Sequence, residues 1–240
     1  GLLVDGYDKP PVILMPYNPR YYERLILNAG FAKKMDLYAF WMTQEEITDR
    51  VMRMAEIARK RTKVRVRTLN MKDFDREVQR VRQIYNEAWE QNWGFIPMTE
   101  NEFNHLAKDL KLIVDPDLAL IAEYEGRPVG FSVALPDINQ ALIHLNGRLL
   151  PFGIFKLLWY RRKIDTVRVP MMGVIPEFRN RGIDLIFYCD TFNNGTGKGY
   201  KQGEFSWMLE INEAMNRAAE NMGAHIYKTY RLFEYELSGG

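Results

Sequence analysis

A mixed α/β fold, a β-sheet carrying helices on its faces, is predicted by three observations. Apolar periodicities over residues 63–240 spell the order β-α-α-β-β-insert-β-α-β-α-β. Within that order lies a strand–turn–helix phrase, Val174-Ile175-Pro176-Glu177-Phe178-Arg179-Asn180-Arg181-Gly182-Ile183. A strand–helix–strand unit near the N-terminus also recurs, as a pattern rather than as an identity, near the C-terminus.

The elements follow in order. Val12 to Tyr17 reads as a short strand. Asn18 offers an N-cap side chain, and Pro19 takes the first helical position, where a missing N–H costs nothing. Tyr22, Leu25, Ile26 and Ala29 recur at helical spacing up to a left-handed stop at Gly30, and Phe31 to Trp41 is a second strand. Thr43 to Lys63 predicts a basic amphipathic helix whose face of Ile47, Val51, Met54 and Ile57 suits a connector packed on a domain. Val64 to Leu69 alternates as a strand, Asp73 to Trp89 has helical spacing, and Thr99 with Glu102 forms a capping box for another helix. Strands at Leu118–Tyr124 and Val129–Leu135 flank the turn Glu125-Gly126-Arg127-Pro128. A strand over Val167–Ile175 leads to a helix from Gly182 to Phe192 and a strand over Phe205–Ile211. Asn212 then caps a helix over Glu213–Met222, Gly223 stops it, and His225–Leu237 is the last strand.

Bulk properties bound the function. With 240 residues, 47% of them hydrophobic, the chain has ample material for a core. A formal charge of +2 lacks the concentrated basic face that nucleic acid requires. One cysteine, Cys189, excludes an internal disulfide framework and suits a reducing, cytoplasmic compartment. No apolar run reaches the roughly 18 residues of a membrane span. The chain starts with Gly1, already within predicted structure, and reads as a piece of a longer protein.

The strand–turn–helix phrase carries the chemistry. A helix N-terminus offers unpaired N–H groups and the positive end of a dipole to an anion. Gly182 lets backbone approach closely, and Arg179 and Arg181 supply charge matched to phosphate oxygens. This phrase resembles the phosphate-binding motif, Arg/Gln-x-x-Gly-x-Gly/Ala after a strand, of the GNAT acetyltransferase superfamily. The resemblance implies a GNAT-like acyl-CoA N-acyltransferase fold over residues 63–240, with an insertion at about 137–165. It implies that residues 1–42 are the C-terminal part of a first such domain in a tandem protein, with 43–62 as a basic helical linker. Main-chain groups around Met172, Gly173 and Val174 are then expected to meet the pantetheine arm and thioester. Arg179, Asn180, Arg181, Gly182 and Ile183 are expected at the diphosphate. The strand ending at Glu210 is expected to splay from its neighbour and open a cleft, and Asn212 matches the family's asparagine.

The implied reaction is attack of an amine, on a small molecule or a peptide, on acetyl-CoA or a longer acyl-CoA, with main-chain N–H groups stabilising the oxyanion and no metal. Glu210 is the candidate base, with a salt-bridged strand-end charge as its other reading. Two positions depart from the family. Asp184 stands where a small residue is usual, and is expected to point away from the ligand. Ala219 stands where a tyrosine commonly serves as acid. Because a thiolate leaves with an intrinsic pKa of roughly 8.5, that loss is tolerable. Tyr188, Tyr227 and Tyr230 remain, with Tyr227 the candidate donor. A catalytically silent module that binds CoA, acyl-CoA or a partner is the rival reading.

The insert Asp137–Asp165 concentrates Leu149, Leu150, Phe152, Ile154, Phe155, Leu157, Leu158, Trp159 and Tyr160 before Arg161-Arg162-Lys163. It reads either as a helical hairpin packed on the sheet, or as an acyl-chain lid or interfacial helix giving peripheral membrane contact through 149–163. Cys189 falls on an apolar helix face with no histidine in register, and reads as core. His105, His144 and His225 show no metal-ligand spacing. Oligomeric state is not legible.

Overall fold

The computed structural model describes residues 1–237. In chain order its strands are β1 (Leu2–Asp5), β2 (Ala32–Thr43), β3 (Arg65–Thr68), β4 (Ala119–Tyr124), β5 (Arg127–Pro136), β6 (Thr166–Val174), β7 (Gln202–Leu209) and β8 (His225–Glu234). The helices are α1 (Tyr21–Asn28), α2 (Asp49–Thr62), α3 (Phe74–Trp89), α4 (Glu100–Leu110), α5 (Asn139–Leu142), α6 (Gly153–Arg161), α7 (Ile183–Thr196) and α8 (Glu213–Asn221). The mixed α/β class is the one the sequence predicts.

These elements gather into two compact units that interleave along the chain. The first comprises Gly1–Glu46, Asp137–Arg168 and the chain from Gln202 onward; the second comprises Ile47–Pro136 and Val169–Lys201.

In the first unit the strands lie in the order β1-β8-β2-β7, each neighbouring pair antiparallel. Tyr230 sits opposite Leu3 on one side and Leu37 on the other, and Leu37 faces Leu209. Leu3, Val12, Met15, Met35, Leu37, Ala39 and Tyr230 form the buried cluster of this unit. Two expectations are corrected here. Val12–Tyr17 is irregular rather than a strand, and the strand is Leu2–Asp5. Pro10, Pro11 and Pro16 remove the ladder donors this segment would need, so it buries Val12 and Met15 without pairing. Asn18 is not the cap of α1, whose N-cap is Arg20 with no side-chain bond. Its buried amide instead accepts from the Leu3 N–H at 2.8 Å and donates to the Leu3 carbonyl at 3.1 Å, as a neighbouring strand would.

The second unit orders its strands β6-β5-β4-β3. The β4–β5 hairpin turns at Glu125 and Gly126, with φ of 50° and 81°, the doubly left-handed geometry of a two-residue hairpin turn. Helix α3 buries Val78, Val81, Ile84, Tyr85 and Ala88, one stripe at helical spacing, into a core with Ile121, Phe131, Ile183 and Phe187. The predicted capping box of α4 is present. Glu102 N–H donates to the Thr99 hydroxyl at 3.3 Å, and the Glu102 carboxylate accepts from Thr99 N–H at 2.9 Å. Helix α2, within the stretch expected to be a linker, is capped by Thr48 and ends at a left-handed Lys63. It packs along α7, with Arg59 2.5 Å from Asp190.

Candidate functional site

The second unit assembles the strand–turn–helix phrase as one structure. The end of β6 stays attached to β5 through Ile175 N–H donating to Val129 carbonyl at 3.0 Å. Gly173 is buried where α3 crosses, and a Cβ there would stand 3.1 Å from both Ala88 and Phe131. Met172 and Val174 flank it, half-buried. A short 3₁₀ turn over Pro176–Phe178 then anchors Phe178 against Tyr124, with ring centroids 5.2 Å apart. Beyond it the backbone takes left-handed values at Asn180 (φ 58°) and Gly182 (φ 81°) before α7 begins at Ile183.

This alternation has a chemical consequence. Among the described residues, the N–H groups of Asn180, Arg181, Gly182, Ile183 and Asp184 donate to no protein acceptor outside the helix, and the helix ladder begins with Ile186 donating to Gly182. Successive free N–H groups in such a turn can donate together to an anion, and the positive end of the α7 dipole lies at the same place. Asn180 and Arg181 are exposed and Gly182 is half-buried, so the helix start is open to solvent. Asp184 is exposed in the first turn and forms no ion pair among the described residues.

The two arginines divide their work. Arg179 donates to the carbonyls of Val174 and of Ala88, the latter in the last turn of α3, so its guanidinium ties that helix to the turn. Arg181 donates to Glu177 carbonyl at 2.9 Å and lies over the Phe178 ring at 4.6 Å, leaving its outer edge to solvent. Glu177 is bridged by Arg127 at 2.9 Å.

The structure places Met172, Gly173, Val174, Arg179, Asn180, Arg181, Gly182 and Ile183 together in the second unit. Glu210, Asn212 and Tyr227 belong to the first. Asn212 caps α8 by accepting from Met215 N–H at 3.4 Å. Glu210 accepts from Asp36 N–H at 2.9 Å and pairs with Lys33 at 2.8 Å, the geometry of the salt-bridge reading. Tyr227 packs on Trp41 at 5.1 Å and points its hydroxyl at Met15 sulfur, 3.5 Å away. Burial, then the nearby Glu204 charge, push its phenol far above the usual tyrosine range. Ala219 is buried, and Tyr188 and Tyr230 lie in the core with phenols raised by burial. Cys189 is also buried, its thiol pushed up to about 11 by that burial, as a core residue should be.

Sequence reading missed a second set of ionisable groups in the first unit. Glu204 and Arg168 are both at most 2% exposed, with Glu204 Oε2 3.2 Å from Arg168 Nε. Arg168 also donates to Ile13 carbonyl at 2.5 Å and covers the Trp207 ring at 4.8 Å. Asp137 accepts from Ile13 N–H at 2.8 Å. Burial pushes Glu204 up to about 7 and Asp137 to about 6, against the pull of Arg168, and lowers Arg168 itself. Charged residues in the middle of apolar strands were the available sign, because an isolated charge is rarely buried without a partner.

No family model matches the sequence. A bacterial ceramide synthase from Caulobacter vibrioides (strain NA1000 / CB15N) is 42% identical over an alignment of 250 positions that covers 99% of this chain and 63% of that protein. Protein YghO of Escherichia coli (strain K12) is 38% identical over an alignment of 244 positions that covers 99% of this chain and 62% of that protein. The chain thus spans less than two thirds of the length of these relatives. Among solved structures, a GCN5-related N-acetyltransferase from Sphaerobacter thermophilus aligns with a TM-score of 0.59 at 16% identity, over 88% of this chain and 54% of that one. At that identity the likeness is one of fold. The chain shares its fold with the GCN5-related N-acetyltransferases.

Proposed function

We propose that the chain is the transferase part of an acyl-CoA-dependent N-acyltransferase, with acetyl-CoA or a longer acyl-CoA as cosubstrate. The observation that carries this reading is the row of N–H groups without protein acceptors from Asn180 to Asp184, exposed at Asn180, Arg181 and Asp184, beside a strand end at Met172–Val174 in a GNAT fold. In this reading the row binds the diphosphate, Arg181 adds charge at its edge, and Arg179 holds the turn against α3. The amine nitrogen bonds to the thioester carbonyl carbon, the carbon–sulfur bond breaks, and the sulfur leaves as thiolate while the amine proton passes to a base. Glu210 and Tyr227 remain the proposed base and acid, though Glu210 must first leave Lys33.

The ceramide synthase likeness supports a long-chain amino alcohol as the acceptor, because a ceramide is the N-acyl derivative of such an amine. The helix-then-strand order of α1 and β2, repeated by α8 and β8, supports a tandem ancestry for the protein. A silent binding module is the second reading, favoured by Ala219 and by the ion pair of Glu210.

Calorimetry with CoA, followed by thiol release from acetyl-CoA and palmitoyl-CoA with a long-chain amino alcohol, tests both. Amine-dependent thiol release is the expected result. Binding without turnover selects the silent module, and no binding of CoA or acyl-CoA sinks both.

A further inference from the structure

Residues 138–164 contain Arg148, Lys156, Arg161, Arg162 and Lys163 and no acidic residue. None of the five forms an ion pair among the described residues. The same segment holds an unusual density of bare apolar surface. Leu150, Phe152, Phe155, Leu158 and Trp159 are each more than half exposed, Phe155 at 68% and Trp159 at 60%, and Gly153 alone is buried in α6. Isolated exposed apolar residues are ordinary, but a contiguous patch of large ones marks an interaction surface.

The segment is nonetheless built. Its ends are clamped, because the Gln140 side chain donates to Asp165 and Thr166, both at 2.8 Å, and accepts from Asp165 N–H at 3.1 Å. Tyr160 stacks on His144 with centroids 3.7 Å apart, and Gly153 packs so closely on Arg148 carbonyl that a Cβ would stand 2.2 Å from it. Helix α6 is therefore held in place with its apolar stripe outward, Ile154, Phe155, Leu158 and Trp159 at helical spacing. Lys163 lies 5.4 Å from the rings of both Trp159 and Tyr160, which puts cation and aromatic edge at one level.

We propose that this insert docks on an anionic lipid bilayer, with α6 lying in the interface. Charge decides the occupant. An apolar surface whose own segment, between Asp137 and Asp165, carries five unpaired cations and no anion is complementary to a layer whose outer face is anionic and whose interior is hydrocarbon. Aromatic rings with an adjacent cation suit the headgroup level, where one end of each side chain is apolar and the other wet. The inference is independent of acyl transfer, since membrane binding is read without turnover.

The test is co-sedimentation of the intact protein with vesicles of phosphatidylcholine alone or mixed equally with phosphatidylglycerol. Partitioning is expected to be at least tenfold stronger on the anionic vesicles and to weaken with added salt. Replacing the basic triplet (Arg161→Gln, Arg162→Gln, Lys163→Gln) should cost roughly a hundredfold, at about 1 kcal/mol for each charge. A second variant, Phe155→Ser with Trp159→Ser, should abolish binding while circular dichroism and the melting temperature stay unchanged. Quenching of tryptophan emission by brominated lipid should fall in Trp159→Phe. Equal binding of wild type and triplet variant, or no binding to anionic vesicles at low salt, overturns the proposal. So does concentration-dependent self-association that the Phe155/Trp159 variant removes, because a second copy would then be the occupant.

Discussion

Gly182 is the residue on which the turn depends. Its φ of 81° is left-handed, and an added Cβ would meet Ala58 Cβ at 2.9 Å. Gly182→Ala therefore combines backbone strain of about 1 kcal/mol with a packing clash against α2. Urea denaturation should show a loss of about 1–2 kcal/mol. Ala58→Gly in the same chain relieves the clash and leaves the strain, so the pair should recover part of the loss. Full recovery would show that packing alone requires glycine here. If the turn is the diphosphate site, calorimetry should also show weaker CoA binding in the single variant.

Among the elements, α3 bears the most weight in the second unit. Its apolar stripe packs on the sheet, its last turn receives Arg179, and its first turn carries Glu77, which is 1% exposed at the side chain. Arg67 of β3 donates to both Glu77 oxygens, at 2.7 and 3.1 Å, and also pairs with Glu123 of β4 at 2.8 Å. Arg80 adds a third contact from the next turn of α3. Burial alone would raise the Glu77 carboxyl, but the bonds and charge of Arg67, then Arg80, outweigh it and hold the group below its usual value. Its contribution is thus present above the ordinary carboxyl range and is lost as the pH falls. Glu77→Ala should cost about 2 kcal/mol at neutral pH, since Arg67 keeps Glu123 as a partner. That cost should shrink in acid, because below the ordinary carboxyl range the unfolded chain takes up a proton that the folded carboxyl resists; an equal cost at pH 3 and pH 7 would refute the assignment.

At the scale of the whole molecule, buried carboxyls give stability the opposite pH dependence on the alkaline side. Glu204 rises from 4.5 to about 7 and Asp137 from 3.8 to about 6 on folding, both chiefly through burial. A raised carboxyl means that the folded chain binds more protons than the unfolded one between these values, so stability falls as pH rises through the window. The melting temperature should be higher near pH 5 than near pH 8, and Glu204→Gln should narrow that difference. A variant with the same difference as wild type would exclude Glu204 as its source.

Much of this molecule was legible in its sequence because local rules suffice where a segment satisfies itself. The Thr99–Glu102 box, the Glu125–Gly126 turn, the α3 stripe and the Asn180–Gly182 turn each depend on neighbours in sequence, and each appears where the residues placed it. What failed depended on distant partners. Asn18 looked like a cap because its local context is that of a cap, yet it bonds to Leu3, fifteen residues away. Val12–Tyr17 is an apolar run like that of a strand, but Pro16 within it and Pro10 and Pro11 before it leave it without a ladder. Only the tertiary structure decided that Arg168 and Glu204 meet in the core, that Glu210 is held by Lys33, and that the flank of α6 is left bare. Sequence fixes which backbone groups a segment can satisfy alone; burial and charge pairing are properties of what the fold brings beside it.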